Sequence, residues 1–158
     1  MARRGGMRIE RIERAWGAEA LRPAVGWKVW RVEDGALLSV LYGDPWPVDE
    51  PVRATCRRHV HVAHEAPAIG CECGIHAGRE LRAWEHYLDV GSEGRVFGRV
   101  MLWGSVLEGA SAWRGELARA VEIFVPLAVE DADEVAEALR AYGVPVHVLE
   151  PVVEAVPA

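Results

Sequence analysis

With 158 residues, 51% of them apolar and 27% charged, the chain has the size and composition of one folded domain able to bury a core. No apolar run approaches the roughly 20 residues that span a bilayer, and the arginines of MARRGGMRIERIERAW lead into no apolar stretch of the secretory kind; the expected setting is the cytoplasm. The net charge of −6 argues against nonspecific duplex binding, which needs many neutralised phosphates, although residues 1–31 carry eight basic and three acidic residues against ten and 21 in the remainder.

Residues 8–21 place Ile9, Ile12, Trp16 and Ala20 near helical spacing. This predicts a short N-terminal helix ended by Pro23 and Gly26, behind a partly mobile terminus at residues 1–8. WKVWRV (27–32) alternates, with Trp27, Val29 and Arg31 on one face and Lys28, Trp30 and Val32 on the other. Asp34-Gly35 is a hairpin signal, and ALLSVLY (36–42) supplies the return strand. GDPWPVDEP (43–51) is a turn-rich connection. In GRELRAWEHYLDVG (78–91), Leu81, Trp84 and Leu88 fall on one helical face, and Gly91 is placed to end that helix.

RVFGRVMLWGSVLEG (95–109) reads as a long central strand in which Gly98 and Gly104 permit bends or bulges. SAWRGELARAVEIFVPL (111–127) has two readings: one returning strand that continues past a bend, or a short helix followed by the strand VEIFVPL. Asp131 with Glu134 forms a capping box for a helix over 132–142, with Val135, Leu139 and Tyr142 on its apolar face and Gly143 as its stop. VPVHVLEPVV (144–153) reads as a final strand. The sum is one α+β domain over residues 1–158: a bent antiparallel sheet or small open barrel with two or three helices. An irregular Cys/His-rich loop runs from about 43 to 78.

That loop contains CRRHVHVAHEAPAIGCECGIH (56–76), which holds all three cysteines and four of the six histidines. Zinc favours four thiolate or imidazole ligands in a tetrahedron. Cys71 and Cys73 can chelate from one turn, and Cys56 closes a loop onto them. The fourth ligand is His64, giving C-x7-H-x6-C-x-C, or His76, giving a local C-x-C-x2-H. Against this stands the plainer reading of three small residues in the interior. A redox reading uses the same sulfurs, because a C-x-C disulfide closes a strained and labile ring.

A zinc-hydrolase reading would leave a water on three cysteines with Glu65 or Glu72 as base. The deaminase signature H-x-E…P-C-x-x-C, however, is met only by His64-Glu65 and a C-x-C. His59 and His61 share one face of a possible strand and read as solvated; His86 and His147 are isolated. GSEGRVFG (91–98) lacks the Lys-Ser/Thr ending of a P-loop, and there is no G-x-S-x-G elbow. Among the seven tryptophans, Trp30, Trp84 and Trp103 read as core, whereas Trp46 and Trp113, near turns, read as surface.

HEAPAIGCECGIHA (64–77), with ATC upstream and GRVMLWGSVLEG…WRGELA downstream, resembles a loose group of uncharacterised bacterial proteins over most of residues 27–125. Those proteins carry an H-x-A-P…C-x-C-G-I segment and a strand with Leu-Trp-Gly. The resemblance implies no activity. The position of His76 is often aromatic in that pattern, which favours His64 as the fourth ligand. The sequence therefore points to a non-enzymatic domain with a structural zinc held by Cys56, His64, Cys71 and Cys73, serving as a protein or nucleic-acid binding module. The alternative is a thiol redox protein or a zinc-dependent hydrolase using the same cysteines.

Overall fold

A long two-stranded hairpin forms the spine of the molecule, and every other strand attaches to one of its edges or to a neighbour there. The computed structural model describes residues 23–57, 64–85 and 94–150, together with the backbone of 10–14. In chain order these form β1 (Glu10–Arg14), β2 (Ala24–Glu33), β3 (Ala36–Ser39), β4 (Val52–Arg53), β5 (Ile75–Gly78), a 3-10 turn at Leu81–Trp84, β6 (Arg95–Glu108), β7 (Ala112–Pro126), α1 (Ala132–Leu139), a 3-10 turn at Arg140–Tyr142 and β8 (Val146–Leu149).

The spine is β6 against β7. The outer edge of β6 carries β2 along Arg95–Leu102 and β1 along Gly104–Glu108, both antiparallel. The outer edge of β7 carries β5, then β4, then β8. A single pairing of Trp27 with Gly78 joins β2 to β5, so β6, β2, β5 and β7 close a circuit. β8 runs parallel to β7, so the sheet is mixed rather than wholly antiparallel as the sequence suggested.

Two irregularities bend the spine, one beside each expected glycine. Opposite Arg99 and Val100, β7 carries the extra residue Val121. The second shift lies between Trp103 and Val106, where Gly104 takes φ +76° and the Ser105 N–H donates to Glu116 Oε2 at 2.9 Å. A Cβ on Gly104 would stand 2.7 Å from that carboxylate oxygen, so this bend admits glycine alone.

The extra residue also explains why residues 111–127 read two ways. Ala118 and Ala120 are buried on one side of Val121, and Ile123 and Val125 on the other, so the alternation changes phase mid-strand. The whole stretch is one strand of 15 residues.

The hairpin at Asp34-Gly35 forms as expected: both residues have positive φ, 50° and 75°, as a type I′ turn requires. Its return strand stops at Ser39, where the Gly43 N–H donates to the Ser39 carbonyl in a following turn. α1 and the 3-10 turn after it cover the expected 132–142, with Ala132, Ala136 and Leu139 buried and Val135 and Tyr142 partly so. The capping box does not form. Asp131 sits in the left-handed region at φ 54° rather than the extended conformation of an N-cap, and its side chain makes no capping bond.

Tyr142 ties this end of the molecule together. Its hydroxyl accepts from the Leu37 N–H at 2.9 Å and donates to the Trp46 carbonyl at 2.8 Å. The core beneath runs from Trp30 and Leu37 through Val96, Val100 and Leu102 to Ile123 and Leu139, each fully buried.

One helix expectation is corrected. Glu10–Arg14 is strand β1, not helix, because the free edge of β6 beyond Gly104 offers it backbone partners. Residues 15–22 lie outside the described part. Of the helix expected over 78–91, the described residues show the 3-10 turn at Leu81–Trp84 running into helical Glu85; Leu88 and Gly91 fall outside. One complete α-helix, α1, lies within the described residues, and the expected number of two or three is not established by them. Among them no helix is long and apolar enough to cross a membrane. The expectation for residues 1–8 also falls outside.

Candidate metal centre

Cys56 follows β4, which is anchored on β7 by the Ala54 N–H donating to the Glu116 carbonyl at 2.8 Å. His64 lies on the far side of residues 58–63, which are outside the described part and include His59 and His61. The chain then turns over Ala68-Ile69-Gly70-Cys71, closed by the Cys71 N–H on the Ala68 carbonyl, with Gly70 at φ +86°. Cys71 and Cys73 lie on the approach to β5.

Gly74 lets the chain turn into that strand. It has φ +117°, and a Cβ there would stand 2.9 Å from Pro67 Cβ and 3.1 Å from Arg114 Cβ. Arg114, opposite on β7, fixes the C-x-C turn from behind. Its Nη1 donates to both the Cys71 and the Cys73 carbonyls, the latter at 2.9 Å.

These local constraints bring four side chains together. The sulfurs of Cys56, Cys71 and Cys73 and a ring nitrogen of His64 all lie within 4.8 Å of one another. Cys56 Sγ stands 3.7 Å from Cys71 Sγ, and Cys73 Sγ 3.4 Å from His64 Nε2. Bond lengths of about 2.3 Å to sulfur and 2.0–2.1 Å to nitrogen put tetrahedral edges at about 3.8 Å for S···S and about 3.5 Å for S···N. The two closest pairs therefore match the edges of a Cys3His tetrahedron. No disulfide joins the three cysteines, and none is a core residue; each is half-buried at the surface.

The thiols are unequal. The Cys73 backbone N–H, bonded to the Cys71 sulfur, draws the Cys71 thiol down to about 7. Burial first, and then the neighbouring Cys71 sulfur, push Cys73 up to about 11. One thiolate thus forms near neutrality and hinders the next, an arrangement that a cation relieves by binding both as thiolates.

The chain matches no family model, no curated protein and no solved structure. The chemistry is therefore read from the geometry of the site itself.

His76, the other fourth-ligand possibility, is on β5, paired in register with Arg114, and does not belong to the four-residue group. Burial, with the positive charges of Lys28 and Arg114, lowers it to about 4, so it is a neutral imidazole at pH 7. Glu65 and Glu72, the bases of the hydrolase reading, are both exposed. His147, given no role, stacks on Phe124 and lies 3.3 Å from Glu122 on the surface of β7 and β8; His86 is outside the described residues.

The Cys/His loop is one wall of a cleft of about 1390 Å³, which Cys56, Cys71 and Cys73 line together with Lys28, Trp46 and Trp84. Sequence reasoning missed this cleft. Trp46, expected at the surface, is 4% exposed and packs edge-on to Trp30 at 5.3 Å. Trp30 is core as expected, whereas Trp84, Trp103 and Trp113 are half-buried. One signal for the cleft was present in the composition: Lys28 is the single lysine among 18 basic residues.

Proposed function

We propose that Cys56, His64, Cys71 and Cys73 hold a structural zinc ion that staples the 43–78 loop onto β5 and β7, and that the domain is a non-enzymatic binding module. The observation that carries this is the convergence of three thiols and one imidazole within 4.8 Å with no disulfide among them. A three-sulfur, one-nitrogen set suits zinc, and four protein ligands leave no open position for a reacting water. Thiolate ligation also fits a reducing compartment. Leu41 and Tyr42, just before the loop, and Ile69 within it stand at 72%, 56% and 67% exposure, which favours a protein partner over nucleic acid on an acidic domain.

Elemental analysis of protein purified without a histidine tag tests the metal. One zinc per chain is expected, lost in Cys71→Ser together with the fold of the loop. Metal-free protein carrying a reversible disulfide would sink the proposal. That outcome belongs to the second reading, a thiol redox role, favoured by the lowered Cys71 thiol and by the Cys56 sulfur 3.7 Å away. Titration with RNA and DNA oligonucleotides at low salt tests the partner class, since nucleic-acid binding is strongest there. Saturable binding would replace the protein partner with a nucleic acid.

A further inference from the structure

The chain uses arginine for every positive side chain but one. Lys28, on β2, is only 7% exposed and is the single buried charged residue among those described. Its Nζ donates to the His76 carbonyl at 3.0 Å and lies 5.8 Å and 5.0 Å from the ring centroids of Trp46 and Trp84. An ammonium has three donors, and among the described residues no carboxylate pairs with this one. His76 beside it is neutral at pH 7, and the carboxylates that line the same cleft, Asp44, Glu50 and Glu72, form no ion pair with it among the described residues. A buried cation with no counter-ion is unfavourable unless something completes it, and Lys28 lies on the wall of the cleft.

We propose that this cleft is a binding site for a small carboxylate with an apolar, aromatic body, whose anionic end pairs with Lys28. The two unused N–H groups of the ammonium match the two oxygens of a carboxylate. Whatever the carboxylate carries then lies beside the indoles of Trp46 and Trp84, which favour a flat apolar group. Lysine suits such a site better than arginine. Burial lowers its amine to about 8, so the empty site can shed the charge that a ligand restores, whereas a guanidinium keeps its proton. The inference stands on side chains outside the four metal ligands, and its failure leaves the zinc proposal untouched.

With one lysine, amine-directed acetylation reports on one side chain, and the N-terminal amine serves as the internal standard. Full-length protein is treated with trace acetic anhydride at pH 8 in benzoate, acetate, phosphate or chloride at matched ionic strength, and labelling at Lys28 is read by mass spectrometry. Benzoate is expected to slow Lys28 acetylation saturably while leaving the N-terminus unchanged, and acetate to do so far more weakly. By calorimetry, Lys28→Met should weaken benzoate binding at least about tenfold, the worth of a charge-assisted bond, with its circular dichroism unchanged.

Equal labelling in benzoate and chloride overturns the proposal. So does undiminished benzoate binding by Lys28→Met, or a Lys28 that the reagent never reaches in protein that gives no heat with benzoate. Equal protection by phosphate rejects the aromatic carboxylate.

Discussion

Replacing Lys28 by methionine changes stability by an amount whose sign depends on pH. Burial lowers the amine from 10.5 to about 8, so keeping it charged in the folded protein costs about 3 kcal/mol, at about 1.4 kcal/mol per unit. Methionine keeps the length and the apolar stem and removes that cost. It also removes the bond to the His76 carbonyl, about 1 kcal/mol, and the cation–π contacts with Trp46 and Trp84, about 1 kcal/mol more. The variant is therefore expected to be more stable than the parent by about 1 kcal/mol at pH 7.

The folded pKa of this base is depressed, so between about 8 and 10.5 the unfolded chain binds more protons than the folded one. Parent stability from this residue rises through that window, so the advantage of Lys28→Met shrinks by about 3 kcal/mol across it and reverses inside it, near about pH 9. Urea unfolding of both proteins at pH 7, 9 and 10.5 measures the difference, in which all other titrating groups cancel. Parallel stability–pH curves for parent and variant would show that the amine is not desolvated and would refute the reasoning.

Loss of one thiolate should be severe: structural zinc contributes about 10–16 kcal/mol of apparent binding energy in small peptides, as much as a whole domain's stability. Cys71→Ser is accordingly expected to lower the melting temperature sharply and to make it insensitive to added chelator, while the parent's falls as chelator is raised. Arg114→Met removes both bonds to the Cys71 and Cys73 carbonyls without touching a ligand atom, and should release zinc to a chromophoric chelator about 10–100-fold more readily with the fold intact. Tyr142→Phe leaves the Leu37 N–H and the Trp46 carbonyl without their shared hydroxyl, and should cost about 1–3 kcal/mol in urea unfolding. Gly104→Ala must displace Glu116, 2.7 Å from the new Cβ, at a positive φ, and should destabilise by about 1–3 kcal/mol.

The elements legible in the sequence were those specified by neighbouring residues. Asp34-Gly35 dictates its own turn, and β6 announces itself by length and by β-branched and aromatic content. The helix over 132–142 follows from its apolar period even though its cap was misread. What failed was set from a distance. β1 reads as helical by spacing and becomes strand because β6 has an edge to fill beyond Gly104. The extra residue at Val121 hides the alternation of β7 from any fixed period. Trp46 lies among prolines and looks exposed, yet Tyr142, 96 residues away, holds its carbonyl in the core.

The same contrast divides the two sites. Cys56, His64, Cys71 and Cys73 could be picked out because few other uses account for that mixture of residue types at that density, and a single short loop supplies them all. Arg114 comes from 41 residues beyond Cys73, and the contact between Lys28 and His76 spans 48. Only the closed circuit of strands brings these partners together. β5 is the shared element: it leaves the C-x-C turn at Gly74, offers the His76 carbonyl to Lys28, and closes the circuit through Gly78 and Trp27. Fixing Cys71 and Cys73 therefore fixes the strand that positions the amine. A zinc ion held at the thiols and a carboxylate held at Lys28 would then be coupled through β5, each altering the affinity of the other by the same free energy.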